Sequence, residues 1–214
     1  MSLDVQMLTV GPIGENCFFV RPEGGERGVV VDPGEEPDRI LASATEMGME
    51  VEAVLVTHCH FDHIGAVAPV AKATGAPVYC PELETPVLAD IMAFVPFPGF
   101  GPYEGYEADE KLTGGETLEL GGMTLDVIAT PGHSPGHVTY SVRGEDAIFS
   151  GDVLFRGSVG RVDLPGGDGP TLIRSIRNLI DTHSPDTAVY PGHMEPTTLG
   201  AERSSNPFLA ELAG

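Results

Sequence analysis

The sequence is poor in lysine, in cysteine and in long apolar runs. Lys72 and Lys111 are its only lysines, and 11 basic residues stand against 32 acids, a net charge of −21. Such a surface repels phosphate backbones, so neither nucleic acid nor an anionic membrane is an expected partner. The plain reading of the acidity is a solvated surface that keeps the chain in solution. Three cysteines, Cys17, Cys59 and Cys80, are too few and odd in number for a disulfide framework. They suit small buried hydrophobes in a reducing cytoplasm, which is the expected location. No stretch approaches the ~18–20 uninterrupted apolar residues of a membrane span. The N-terminus carries Asp4 and no basic segment, so no secretory leader is expected. Repeats of solenoid period and low-complexity tracts are also missing. What is abundant is glycine (28) and proline (19), spread along the chain as turn punctuation. The 41% of apolar residues is enough for one ordinary core in 214 residues.

Periodicity predicts short strands over Leu3–Val10, Cys17–Val20, Gly28–Val31, Val51–Val56 and Pro77–Cys80. It predicts helices over Pro37–Met47 and over Asp62–Thr74, the second opened by Asp62 as N-cap. Strands follow at Met123–Ala129, Val138–Val142 and Asp146–Phe149, then a helix at Thr171–Thr182 and a strand at Thr187–Val189. Runs of strands with helices between and after them suggest sheets covered by helices, an α/β (α+β) fold without strict alternation. The segment Thr85–Thr113 resists assignment, although its first part could be a helix. Its run from Val95 through Pro96, Phe97, Pro98, Gly99, Phe100, Gly101 and Pro102 to Tyr103 reads either as a lid over a site or as a plug on the core.

Chemistry concentrates where apolar runs end. Val54–Thr57 leads into His58-Cys59-His60-Phe61-Asp62-His63, Val127–Gly132 into His133, Ile148–Gly151 into Asp152, and Ala188–Gly192 into His193. In three of the four, glycine immediately precedes the polar residue, which allows a sharp turn and close backbone approach. Neighbouring strands would bring all four clusters to one sheet edge, the usual place for a ligand. In extended backbone His58 and His60 point the same way, so both imidazoles can grip one ion. Asp62 and His63 begin the next helix and can serve a second. The donor set suits Zn, Fe or Mn, and the absence of a cysteine pair argues against a structural Cys₄ zinc. Cys59, between two of these histidines, falls on the opposite face.

His58-x-His60-x-Asp62-His63, followed by His133, Asp152 and His193, resembles the metallo-β-lactamase superfamily over nearly the whole chain. Val31-Asp32-Pro33-Gly34 looks like its early turn. Thr130–His137, Gly151–Phe155, Gly160-Arg161, and Pro191–His193 with the later Thr197-Thr198, Glu202-Arg203 and Asn206–Phe208 resemble the glyoxalase II-like (hydroxyacylglutathione hydrolase-like) branch. The resemblance implies a four-layer αββα sandwich, two mixed sheets face to face with helices outside. It implies two divalent ions, zinc first and iron or manganese next. His58, His60 and His133 would hold one, Asp62, His63 and His193 the other, with Asp152 bridging. It further implies thioester hydrolysis, S-lactoylglutathione being the branch's substrate, by attack of a hydroxide shared between the ions, with Asp62 and Asp152 helping to orient the water. True β-lactamases carry Cys or Ser in the role of Asp152, so penicillin hydrolysis is not expected.

Arg161 stands where the branch places a lysine against the carboxylate of the thiol carrier; it reads either as that substrate contact or as an ion pair with Asp163. Asp32 reads as support for a ligand histidine or as a plain turn residue, and His137 as a buried hydrogen-bonding group near the ions. His183 reads as a surface helix end, and Leu164–Gly169 lacks the spacing of a phosphate loop. Only residues 194–214 follow His193, so a single domain over 1–214 is expected, without the C-terminal helical domain of the branch's longer members. The expected partner is a small thioester, and the expected assembly a monomer or small homo-oligomer. Two rivals share the fold: a mononuclear iron persulfide dioxygenase, suggested by Gly160-Arg161-Val162-Asp163, and a lactone or other ester hydrolase. All seven ligand positions are intact, which speaks against a dead site retained for interaction.

Overall fold

The structure is a computed structural model and describes residues 2–95 and 97–212; Pro96, part of the aromatic–proline run, lies outside them. The chain lays down one sheet almost entirely before it begins the other. The first sheet contains β1 (Leu3–Val10), β2 (Glu15–Pro22), β3 (Arg27–Val31), β4 (Glu50–Leu55), β5 (Val78–Pro81) and β6 (Glu110–Leu112), side by side in that order. The first three are antiparallel neighbours, and from β3 onward pairing is parallel. The parallel crossovers carry α1 (Pro37–Glu46) between β3 and β4, and α2 (Phe61–Ile64) and α3 (Val67–Thr74) between β4 and β5. Next come the short helices α4 (Thr85–Ala89) and α5 (Ile91–Phe94).

The second sheet has β7 (Thr117–Leu120), β8 (Met123–Ala129), β9 (Val138–Val142) and β10 (Ala147–Gly151) as an antiparallel meander. A two-stranded ribbon of β11 (Leu154–Phe155) and β12 (Ser158–Val159) and the helix α6 (Gly169–Thr182) follow. β13 (Ala188–Pro191) then returns parallel to β10, and β14 (Thr197–Thr198) closes the edge before α7 (Leu199–Ser205).

Side-chain alternation along these strands separates three apolar layers. In β2, Phe18 and Val20 face the second sheet while Cys17 and Phe19 face α1 and α3. In β10, Phe149 joins the layer between the sheets while Ile148 packs against Leu172, Ile176 and Leu179 of α6. Both large sheets are therefore mixed and covered on their outer faces, the four-layer sandwich that the resemblance implies. No helix among the described residues is long and apolar enough to cross a membrane.

Two sequence-based expectations need correction. The helix expected over Asp62–Thr74 is broken into α2 and α3 at Gly65-Ala66, and Asp62 is not its N-cap. His60 occupies that position in an extended conformation, with no side-chain cap. The break arises because the backbone at Gly65 packs against the turn after β3. A Cβ there would lie 2.5 Å from the Gly34 carbonyl, and the Ala66 N–H donates to the Pro33 carbonyl at 3.0 Å. The Thr85–Thr113 segment divides the two roles read for it. Val95, Phe100, Tyr103 and Tyr106 pack on the outer core, whereas Phe94 and Phe97 remain exposed.

Leu55 is fully buried between the sheets, two residues before Thr57. Leu55→Ala is expected to destabilise the protein by about 2–5 kcal/mol, seen as a lower denaturation midpoint with an unchanged denaturant slope.

Candidate metal centre

The four polar clusters meet because β4, β8, β10 and β13 all end at the same rim. Parallel pairing of β10 with β13 places Gly151 opposite Pro191, so Asp152 and His193 emerge side by side. Parallel pairing of β3 with β4 aligns Val31 with Leu55, which puts Asp32 beside Thr57. His60, still extended, precedes the turn of α2 that carries Asp62 and His63 inward.

Three imidazole nitrogens close on one point: His58 Nε2 to His60 Nδ1 is 3.1 Å, His133 Nε2 to His60 Nδ1 is 2.7 Å, and His133 Nε2 to His58 Nε2 is 3.2 Å. Their partners on the far side decide the tautomers. The Thr57 hydroxyl donates to Asp32 Oδ2 at 2.6 Å, leaving its oxygen to accept from His58 Nδ1–H at 3.1 Å. His133 Nδ1–H donates to the Arg161 carbonyl at 2.8 Å. The Nε2 atoms of His58 and His133 therefore face each other with lone pairs, an arrangement that a cation satisfies and a hydrogen bond cannot. Burial, reinforced by neighbouring imidazoles, holds His58 well below the usual imidazole pKa. Burial and His133 bring His60 down to about 4. Both are neutral ligands at neutral pH.

Beside this triad stands a second group, Asp62, His63 and His193. His63 Nδ1–H donates to Asp32 Oδ2 at 3.0 Å, and His193 Nδ1–H to the Gly14 carbonyl at 3.2 Å, so both Nε2 atoms turn inward. Asp62 Oδ2 lies 3.3 Å from His193 Nε2. Asp152 spans the two groups: Oδ1 is 3.4 Å from His63 Nε2, and Oδ2 is 3.5 Å from His133 Nε2 and 3.6 Å from His193 Nε2. His63 Nε2 and Asp152 Oδ1 are buried without a hydrogen-bond partner. Burial alone would lower the pKa of His63, but Asp152, Asp32 and Asp62 outweigh it and hold it well above the usual value. Burial would raise Asp152, yet His63, His193 and His133 keep it far below the carboxylate range. This half of the site calls for positive charge, and orphaned donors of nitrogen and oxygen type fit one or two borderline divalent ions.

Space is reserved for that arrangement. A Cβ at Gly192 would lie 2.4 Å from Asp152 Oδ1 and 2.5 Å from His63 Cε1. His137 does not enter the cluster; its Nε2 accepts from the Asp152 N–H at 3.1 Å and its ring stacks on His58. Arg161 lines the cavity beside the cluster and also makes the ion pair read for it with Asp163. Its guanidinium donates to both Asp163 oxygens, at 2.7 and 2.8 Å, while its carbonyl orients His133. His183 caps the end of α6 through the Leu179 carbonyl and reaches Ser141 on β9, away from the cluster. Cys59 is buried against Cys80, with sulfurs 3.5 Å apart.

Sequence reasoning missed three residues, two of which hold the loops and one of which lies behind the cluster. Glu84 accepts from Ser134 Oγ (2.7 Å), the Gly136 N–H (2.8 Å) and the Cys59 N–H (3.3 Å), tying the His133 loop to the His58–His60 strand end. Asn16 donates to the Pro191 and Met194 carbonyls and so brackets His193. Glu15 is buried behind His63, with Oε1 3.8 Å from its Nδ1 and neither oxygen hydrogen-bonded. Burial pushes its pKa well up. None lies in a ligand-spaced motif, so no local signal marked them. The Thr197–Asn206 segment also proves structural: Glu202 accepts from Gly157 N–H, Thr197 and Asn206, fixing the β11–β12 ribbon.

Residues 10–193 match the Metallo-beta-lactamase superfamily, Lactamase_B. The chain belongs to this superfamily and is a metallo-hydrolase of the metallo-β-lactamase fold. It is 39% identical to a probable metallo-hydrolase, YqgX, of Bacillus subtilis, over 94% of this chain and 95% of that one. It is 30% identical to the hydroxyacylglutathione hydrolase GloC of Haemophilus influenzae, over 97% and 98%. Among solved structures, BLEG-1, described as a B3 metallo-beta-lactamase, superposes with TM-score 0.91 at 38% identity, covering 97% of this chain and all of that one. TTHA1623 in a di-iron-bound form gives 0.84 at 41%, covering 95% and 100%.

Asp32→Asn removes an acceptor shared by Thr57 and His63. It is expected to weaken metal affinity by about 10–100-fold while the fold persists, measured by competition with a chromophoric chelator. Loading metal-free protein at pH 7 is expected to release about one to two protons, because the proton that the carboxylates hold on His63 must leave as the ion enters. Titration calorimetry in buffers of different ionisation enthalpy reads that number.

Proposed function

We propose that the protein hydrolyses a thioester, in the manner of a hydroxyacylglutathione hydrolase, with two divalent ions at the rim of the sandwich. The observation that carries the reading is Asp152 spanning two complete donor triads, His58/His60/His133 and Asp62/His63/His193. The 30% identity to GloC over nearly full length supports the thioester. Zinc suits the donors; the di-iron form of a 41% identical structure makes iron the next choice. When bound, such ions acidify a water and polarise a carbonyl oxygen. The chain's own residues do the rest. Asp62 and Asp152 both face the cavity beside the cluster. Burial would raise Asp62, but hydrogen bonding to His193 and the nearby His63 keep it below its usual range. Both carboxylates stay ionised and accept from, and so orient, the attacking water. Water adds to the acyl carbon, the carbon–sulfur bond breaks with its electron pair going to sulfur, and the products are a carboxylate, a thiol and one proton.

A second reading, a mononuclear iron persulfide dioxygenase, draws on the paired Arg161 and Asp163 beside the cavity. It leaves Asp62, His63 and His193 idle, so hydrolysis is preferred. Metal analysis separates the two: two equivalents per chain with turnover of S-lactoylglutathione or simpler thioesters supports hydrolysis, and a single iron with oxygen uptake on glutathione persulfide supports the rival. A β-lactam belongs in the substrate panel because of the similarity to BLEG-1, although Asp152 is not the ligand type expected of that activity.

His58→Ala is expected to cut thioester turnover by at least about 10³-fold and to lower metal content, with circular dichroism unchanged. Retained turnover would remove this cluster from the reaction.

A further inference from the structure

Five of the large hydrophobic side chains that this acidic protein leaves exposed surround one opening. Ile13, Leu83, Phe94, Phe97 and Met194 are 42–70% exposed, and all five line a cavity of about 630 Å³ whose floor holds His60, Asp62, His133, Asp152 and His193. Its inner wall is apolar too, through Phe61, Val87 and Ile91. The volume is that of a small-molecule site. Exposed hydrophobics scattered singly need no explanation, but a ring of them rimming a concave site marks a binding surface.

Polar recognition is sparse there. Arg161 is the only Lys or Arg among the lining residues, and its Nε and Nη2 are engaged by Asp163. The walls thus offer little to the hydroxyl of a lactoyl group or to the carboxylates of a peptide thiol, and the net charge of −21 opposes anionic carriers. They offer apolar contact to whatever extends from the reacting carbonyl. Phe97 packs at that rim edge-on against Phe100, 6.5 Å between centroids, and Phe100 packs in turn at a tilt on Phe61 at 4.8 Å, next to the Asp62 backbone. The rim is anchored to the same helix that carries two residues of the cluster.

We infer that the substrate's acyl part is an uncharged, apolar chain or ring of medium size, seated among Leu83, Val87, Ile91, Phe94 and Phe97, with its carbonyl directed at the rim where Asp62 and Asp152 stand. The inference rests on the thioester-hydrolase reading and narrows it, replacing a hydroxyacyl substrate by an apolar one.

The test uses metal-loaded full-length protein and N-acetylcysteamine thioesters, a neutral carrier, from acetyl to octanoyl, beside S-lactoylglutathione. kcat/KM is expected to rise about fourfold per added methylene that is buried, with S-lactoylglutathione behind the octanoyl ester. The double variant Leu83→Ser, Phe94→Ser should lose at least tenfold more activity on octanoyl than on acetyl thioester, its melting curve showing a folded protein. A flat or falling series, or S-lactoylglutathione in front, overturns the apolar assignment and leaves the hydrolase reading standing. If no thioester turns over, that reading fails, and calorimetry with alkyl ketones, the thioester sulfur replaced by methylene, decides the cavity alone. Binding at least tenfold tighter for the octanoyl than for the acetyl ketone upholds it; equal binding overturns it.

Discussion

Asp32 is the group on which the site's geometry depends. It follows β3 with a positive φ of 48° and is buried to 2% exposure at the seam between β3 and β4. One oxygen accepts from the Thr57 N–H; the other accepts from the Thr57 hydroxyl and from His63 Nδ1. Through Thr57 it sets the tautomer of His58, and directly it sets that of His63. One carboxylate thus aims a histidine into each of the two triads, and their relative placement follows from the parallel register of two adjacent strands. A buried charge that accepts three hydrogen bonds is stable there, whereas an unpaired one would be costly.

The other restraints reinforce this arrangement from separate directions. His137 grips the backbone of Asp152, Asn16 brackets His193, and Glu84 ties the His133 loop to the His58 strand end. Asn16 and Glu84 each link the two sheets, and His137 holds the end of β10 from the neighbouring β9, so the fold itself positions the donor atoms. Preorganisation of this kind leaves donor atoms facing one another unsatisfied. The lone pairs of His58 and His133 and the orphaned Oδ1 of Asp152 are the stored demand that an ion meets.

Around that polar floor the chain builds an apolar funnel, and the contrast is functional in character. Most of the acidic residues are elsewhere, away from the cavity lining. The Thr85–Thr113 segment illustrates how one stretch serves two ends. Phe100, Tyr103 and Tyr106 fasten it to the core beneath, and the same fastening holds Phe94 and Phe97 out at the cavity mouth. Alternating anchors and exposed rings explain why the stretch between α5 and β6 has no periodicity of either helix or strand.

The strands that carry the site were legible from apolar runs bounded by glycine, because alternation and turn chemistry act over a few residues. Their chemistry was legible too: His58-x-His60 is a local pattern, and a glycine before His133, Asp152 and His193 announces a tight turn. The superfamily likewise follows from motifs in chain order. Tertiary structure alone decided which orphan atoms face which, and that Gly65 interrupts the helix after Asp62 because another turn packs on it. It alone brought Glu15, Asn16 and Glu84 to the cluster and gathered Ile13, Leu83, Phe94 and Met194 around one opening. These are contacts between residues far apart in the chain, and no spacing rule along a sequence encodes a distance that only the closing of two sheets creates.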